Sequence, residues 1–272
     1  MKRVVPLDKA IETGVFGSKA VGLGQAIRDG LPVPPGVALT GSIVEAIAAG
    51  DAVAMNQVAK QVKPLGFPLA VRSSAVDEDG AAASFAGQHL TLLNVASEEA
   101  LRSALSEIWW SANSDSAITY RQKVGLFTRP SVGVVVQALL NPDAAGVMFT
   151  QCPVTGADVR VIEASWGLGE AVVAGLVIPD NFRIGRDGRM LECTPGFKKI
   201  AVRSASSGGT FEEKLAPELV EKLCLDEQNI AALNRLATRC EEVYGLGRDI
   251  EWALASGTIY LLQCRAITKA GG

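Results

Sequence analysis

Histidine occurs once in the 272 residues, at His89, and a lone histidine is more often a satisfied polar group than a nucleophile. The five cysteines, Cys152, Cys193, Cys224, Cys240 and Cys264, are odd in number and show no C-x-x-C or other metal-ligand spacing. Reduced, mostly buried thiols in a cytosol account for them. No apolar run approaches membrane-spanning length, since even Val132 to Leu140 is short and carries Gln137. The opening Met-Lys-Arg-Val-Val-Pro-Leu-Asp meets Pro6 and Asp8 before an apolar signal region can form. Basic charge is not in excess either: Lys plus Arg total 26 against 29 acidic residues, for a net charge of -3. That balance gives no broad field for nucleic acid, so any anion must be met by a few well-placed cations. The expectation is a soluble, cytoplasmic protein with neither a membrane nor a nucleic acid as partner. No internal repeat stands out, and the phosphate-binding pattern G-x-x-x-x-G-K-[ST] is missing.

What is present is a globular composition, 48% hydrophobic and 20% charged, at a length that suits two lobes. Residues 14 to 40 are rich in glycine and proline around a short helix from about Lys19 to Arg28. Pro68 to Arg72 reads as a strand running into the polar loop Ser73 to Gly80. Ser97 caps a helix reaching toward Tyr120, with Leu101, Leu105, Ile108 and Trp109 on one face. Strands are expected at Val132–Leu140, Gly146–Thr150, Val159–Ser165 and Phe182–Gly185. A helix over Asp226–Tyr244 is stopped by Gly245. The fold class is α+β, with lobes expected over 1–128 and 129–272.

The segment from Asp249 to Arg265 reads as a hairpin. A three-residue loop, Ser256-Gly257-Thr258, pairs Ala255 with Ile259, Ala253 with Leu261, Glu251 with Gln263 and Asp249 with Arg265. One face then holds Ile250, Trp252, Leu254, Tyr260, Leu262 and Cys264 without a charge. The other collects two carboxylates, an amide oxygen and a guanidinium at the end away from the turn. A slip of one residue would mix the acids with Leu262 and Cys264, so burial selects this pairing. A carboxylate together with an amide oxygen suits Mg²⁺, a hard cation that shares its coordination with phosphates. Arg265 beside them suits a bidentate grip on phosphate. The alternative is a cross-strand Asp249–Arg265 ion pair on a solvated face.

Four further stretches are candidates. Lys19 lies among small residues, Gly17-Ser18-Lys19-Ala20, that let a phosphate approach the backbone; the alternative is a solvated lysine at a helix start. Arg72 ends an apolar strand and opens a loop of hydroxyls and acids, as an anion grip or as the partner of Asp77, Glu78 or Asp79. Ser84 to Thr91, with Gly87 and the Thr91 hydroxyl, can fold over a polyphosphate as a lid, or is a hairpin turn. Gln137 can meet an adenine edge, or is a strand-end amide facing water. Gly167-Leu168-Gly169-Glu170 is weak unaided.

In order along nearly the whole chain, the sequence resembles the ATP-binding domain of the phosphoenolpyruvate synthase, pyruvate phosphate dikinase and rifampin phosphotransferase family. The resemblance is carried by Ser18-Lys19-Ala20, Leu31-Pro32-Val33-Pro34-Pro35-Gly36, Val71-Arg72-Ser73-Ser74-Ala75, Ser84-Phe85-Ala86-Gly87-Gln88, Gly146-Val147-Met148-Phe149-Thr150, Gly167-Leu168-Gly169-Glu170, Asp249-Ile250-Glu251-Trp252-Ala253 and Leu262-Gln263-Cys264-Arg265. It implies an ATP-grasp fold, in which two α+β lobes clamp ATP and Mg²⁺ between them. By the same resemblance Lys19 and Arg72 hold phosphates, Gly87 and Thr91 belong to the lid, and Gln137 meets adenine. Glu251 and Gln263 bind Mg²⁺, and Arg265 steadies the transferring phosphoryl group. Lys19, Arg72 and Arg265 are the catalytic set.

The family converts ATP to AMP and passes a phosphoryl group through a histidine on a separate swivelling domain. Only seven residues follow Arg265, and there is no second histidine. A phosphohistidine-domain protein and an acceptor-binding subunit are therefore expected as partners. Two departures accompany this: a short Lys19 to Arg72 interval, and Cys264-Arg265-Ala266 in place of an arginine-proline ending. Pyruvate, a phenol-like hydroxyl or an antibiotic hydroxyl would all serve as final acceptor. The rival readings are a small-molecule kinase that produces ADP and a nucleotide-binding regulatory module without turnover.

Overall fold

A computed structural model describes residues 3–76, 90–123 and 131–267, and these divide into two units. The first contains the residues up to Arg28, Pro35–Leu139 and Ala205–Gly209; the second contains Asp29–Pro34, Leu140–Ser204 and Thr210 onward. In chain order the first unit runs β1 (Val4–Pro6), α1 (Thr13–Phe16), α2 (Ser18–Arg28), β2 (Gly36–Leu39), α3 (Gly41–Ala48), α4 (Ala52–Val62), β3 (Leu69–Ala75), β4 (Thr91–Val95), α5 (Glu98–Ala112), α6 (Asp115–Lys123) and β5 (Val132–Ala138). Its strands form an antiparallel sheet in the order β1-β2-β5-β3-β4.

Alternation along these strands separates two faces. Leu69 and Val71 of β3, Val134 and Val136 of β5, and Val37 and Leu39 of β2 join Ile43, Met55, Leu101 and Leu105 from α3, α4 and α5 in one buried cluster. The other face carries Arg72 and Ser74. There the Ser74 hydroxyl accepts the Ala20 amide of α2 at 3.0 Å.

A division at 128/129 would hand Val132–Ala138 to the second lobe. Instead β5 pairs with both β2 and β3, and the first unit runs on to Leu139. Val134, Val135 and Val136 are all fully buried, as a central strand covered on both sides must be. The same strand draws Ser73 and Ser74 out of the expected loop and into β3, opposite Val134 and Gly133. The single helix expected after Ser97 is two. Ser97 caps Ala100 as foreseen, but Asn113 turns its amide back onto the Trp109 carbonyl, and Ser114 opens α6 by accepting the Ala117 amide.

The second unit runs β6 (Ala144–Phe149), β7 (Arg160–Trp166), α7 (Glu170–Val173), β8 (Asp180–Ile184), β9 (Met190–Thr194), β10 (Ile200–Ser204), β11 (Thr210–Lys214), α8 (Pro217–Val220), α9 (Glu227–Tyr244), β12 (Arg248–Ala255) and β13 (Thr258–Ala266). Six of these strands form an antiparallel sheet ordered β13-β12-β6-β7-β8-β9. Asp226 caps α9 through the Asn229 amide at 2.8 Å, and Gly245 ends it at φ 87°. Arg160 of β7 is 2% exposed and ties the sheet to α9 through Asn234, Thr238 and Glu241. A second buried ion pair, Asp180 with Lys198, is closed to solvent on both sides. The Asp180 carboxylate also accepts the Gly196 and Cys224 amides at 2.7 and 2.9 Å.

The terminal hairpin departs from expectation at its turn and agrees at its other end. The loop has two residues, Ser256 and Gly257, at φ 49° and 74°, so Ala255 faces Thr258. Two positive φ values are what a tight hairpin turn demands. An irregularity between Glu251 and Trp252 then shifts the register by one, restoring Glu251 opposite Gln263 and Asp249 opposite Arg265. As a result Ile259 and Leu261, rather than Tyr260 and Leu262, join Leu254 and Trp252 in the core.

Candidate functional site

In the first unit the residues singled out by sequence gather on the sheet face opposite the α3–α5 core. Arg72 on β3 stands directly across from Thr91, the first residue of β4. Gln137 lies in the next row of that face, opposite Ala70 and Gly36. Lys19, the second residue of α2, donates to the Ser73 carbonyl at 2.9 Å. Gly17 brings it there: its φ is +82°, and a Cβ at this position would lie 1.9 Å from the Ser74 carbonyl oxygen. Only glycine permits that approach.

Burial decides two of the open alternatives. Lys19 and Gln137 are 7% and 2% exposed, so neither a solvated helix-start lysine nor an amide facing water describes them. Arg72, at 8%, is buried as well. The acids weighed as its partners, Asp77, Glu78 and Asp79, lie outside the described residues, as do the lid residue Gly87 and His89.

In the second unit, adjacent cross-sheet rows alternate in character. One row, Cys264–Ile250–Met148–Ile162–Phe182, is almost entirely apolar. Ile250, Met148 and Ile162 have no exposure there, and the Cys264 thiol meets Cys240 of α9. The next row faces the other way and reads Gln263–Glu251–Val147–Glu163–Asn181. One step further along that face, Arg265 donates through Nε and Nη2 to the Asp249 carboxylate, each at 2.8 Å. The ion pair weighed as the alternative for this end is thus present, with about half of the Arg265 side chain exposed. Burial pushes the Asp249 carboxyl above the ordinary aspartate range, and the Arg265 guanidinium pulls it back down.

This arrangement suits a hard divalent cation. Glu251 and Gln263 are directly opposed and offer a carboxylate and an amide oxygen, two protein ligands for an ion that takes phosphate and water oxygens as the rest. Among the described residues no group of three or more His, Cys, Asp or Glu side chains is placed to hold a metal. A shared phosphate–protein cation site therefore fits these residues better than an all-protein cage.

Sequence reasoning passed over Glu163. Its place becomes visible only when β7 is laid beside β6 and β12, because the sequence separation of 88 residues from Glu251 hides the shared row. A charged residue inside Val161-Ile162-Glu163-Ala164 was the available signal.

A family model described as pyruvate phosphate dikinase, AMP/ATP-binding domain, matches residues 42–271. A probable phosphoenolpyruvate synthase of Methanothermobacter thermautotrophicus is 33% identical, over 96% of this chain and 45% of that protein. A rifampicin phosphotransferase of Bacillus cereus is 41% identical, over 73% of this chain and 23% of its own length. The chain thus spans less than half the length of either relative. Of solved structures, PH1788 from Pyrococcus horikoshii Ot3 is similar at a TM-score of 0.49 with 15% identity, covering 96% of this chain and 95% of that one. No helix among the described residues is long and apolar enough to cross a membrane.

Proposed function

The chain belongs to the pyruvate phosphate dikinase AMP/ATP-binding domain family, and from that premise we propose that it is an ATP-grasp phosphotransferase domain. It passes the β-phosphoryl group of Mg-ATP to a histidine on a separate swivelling-domain protein, with AMP released and the γ-phosphate lost to water as inorganic phosphate. An acceptor-binding subunit completes the system.

The observation that carries this reading is the polar row itself. Glu251 and Gln263 are opposed across one strand pair, with Arg265 one step along the same face. Phosphoryl transfer asks for charge neutralisation and alignment rather than covalent work by side chains. Glu251 and Gln263 would hold Mg²⁺, which when bound neutralises charge on the phosphate oxygens. Arg265, held in orientation by Asp249, presents a planar donor to the phosphoryl group in transit. Lys19 and Arg72 hold phosphate oxygens from positions that the backbone fixes before any ligand arrives. Thr91 adds a hydroxyl beside Arg72, Gly87 belongs to the lid, and Gln137 meets the adenine edge.

The test is product analysis. Incubation with ATP, Mg²⁺ and the histidine-bearing partner gives AMP and an acid-labile phosphoprotein. Formation of ADP alone, with the partner unlabelled, overturns the histidine route in favour of direct small-molecule phosphorylation.

A further inference from the structure

Thr150 ends the stretch Gly146-Val147-Met148-Phe149-Thr150 and has no part in the chemistry proposed above. It has no exposure and follows the last residue of β6, level with the start of β12. Asp249 faces Phe149 across these two strands, so the next rung would join Thr150 and Arg248 by a pair of main-chain hydrogen bonds. Only half of that rung is main chain. The Thr150 amide donates to the Arg248 carbonyl at 2.8 Å, but the Arg248 amide donates to the Thr150 hydroxyl, at 2.9 Å. The Thr150 carbonyl is turned instead to Arg186, whose Nη2 donates to it at 3.4 Å. A side-chain oxygen thus stands in for the carbonyl, and its removal leaves the Arg248 N–H without that partner.

The place of this rung gives it a consequence. Through Arg248 the chain leaves the turn after α9 and enters β12, past Gly245 and Gly247 at φ 87° and 71°. Glycines impose little conformation of their own, so the first residues of β12 take their setting from what they bond to. On the other side β12 is bonded to β13, a strand of the same hairpin, which leaves the Thr150 rung as the last tie between this end of the hairpin and β6. One residue on, the Asp249 carboxylate holds both Nε and Nη2 of Arg265. Arg265 is about half exposed, and a long side chain with that freedom is aimed only as well as its acceptor is placed. We propose that Thr150 is a positioning residue: its hydroxyl sets the start of β12 so that Asp249 points the Arg265 guanidinium at the phosphoryl group. The proposal rests on the role given to Arg265 above and adds a residue that acts through it.

The Arg265 Nε–H signal in ¹⁵N NMR spectra of the free chain, identified by its loss in Arg265→Ala, tests this without any turnover. In the wild-type chain this proton exchanges slowly with water, because it is bonded to Asp249. The Trp166 indole N–H, bonded to the Leu219 carbonyl at 3.1 Å in the same unit, reports whether the fold is intact. Thr150→Val keeps the shape and removes the hydroxyl. It is expected to speed Arg265 Nε–H exchange about tenfold or more, the scale of a lost charged hydrogen bond, with the Trp166 signal unchanged, and Thr150→Ser is expected to restore protection. In the AMP-forming assay Thr150→Val should lower the rate at saturating ATP about tenfold, with Mg-ATP affinity within about twofold, and should add less than about twofold to the loss in Arg265→Ala. Unchanged Arg265 exchange in Thr150→Val overturns the proposal. So does loss of the Trp166 signal along with it, which makes Thr150 a residue of the general fold, or a loss of rate that multiplies in full with that of Arg265→Ala. An Arg265 signal that depends on Thr150, in a wild-type chain that labels no partner, upholds the coupling and overturns the transfer reading instead.

Discussion

In the first unit the candidate charges are cations that folding itself has buried, with Lys19 and Arg72 only 7% and 8% exposed. In the second they are carboxylates set in a sheet row, and the accompanying cation, Arg265, is about half exposed. The buried cations are held by tight packing of backbone on backbone, Gly17 against Ser74. Fold and site are hard to separate there. The second unit separates the two: its buried charges, Asp180 with Lys198 and Arg160 with Glu241, lie away from the polar row and are paired within the protein. Substitutions should therefore injure stability and ligand handling together in the first unit, and one at a time in the second.

The largest effect is expected at Arg265. Arg265→Ala should lower phosphoryl transfer about a thousandfold or more, as loss of a guanidinium from a phosphoryl-transfer site does, while nucleotide affinity measured by calorimetry changes far less. The same variant has a pH signature. Asp249 already titrates above its ordinary value, and loss of the guanidinium raises it further. Ionising a carboxylate whose folded pKa is raised costs stability, so the variant matches wild type most closely at acidic pH. It falls behind as pH rises through the folded pKa, and melting temperatures across that range check this.

Next in size is the buried pair that ligand handling does not use. Lys198→Met leaves the buried Asp180 carboxylate without its cation, with only the Gly196 and Cys224 amides as donors, and should cost about 3–5 kcal/mol in denaturant unfolding. Mg-ATP affinity, measured where the variant remains folded, should be unchanged. Gly17→Ala sharpens the contrast from the other side. Its Cβ has no room and its φ is left-handed, so it should cost about 2 kcal/mol or more of stability and weaken nucleotide binding in parallel, because Lys19 moves with it. The smallest effect is a gain. Glu163→Gln removes a carboxylate that burial holds above its ordinary pKa, and should raise the melting point by about 2 °C at neutral pH. The gain fades as pH falls toward the unfolded value, where the wild-type group is protonated in both states.

Much of this was legible along the chain because the relevant signals are local. Ser97 caps the helix it precedes, and Gly245 stops the helix that ends at Tyr244. The charged end of the last hairpin pairs as its burial pattern demands, Glu251 with Gln263 and Asp249 with Arg265. What was not legible depends on partners remote in sequence. The turn at Ser256-Gly257 and the compensating irregularity near Leu262 leave the charged pairs unchanged, so charge patterning alone does not distinguish them from a three-residue loop. The division of the chain after Leu139, rather than at 128, follows from the two neighbours of β5. Exposed strands such as β9 and β11, with no buried residue in either, lack the alternation that marks a strand. Glu163 is hidden for the related reason that a cross-sheet row leaves no trace in a single segment.

The central claim is that the opposed Glu251 and Gln263 hold the cation of a bound nucleotide. Titrating ATP into the wild-type chain and into Glu251→Gln, with and without Mg²⁺, tests it most directly. The account predicts saturable, Mg²⁺-dependent uptake by the wild-type chain and a loss of about tenfold or more in the variant, the cost of a lost charged contact. Mg²⁺-dependent uptake of equal affinity in both proteins would contradict it.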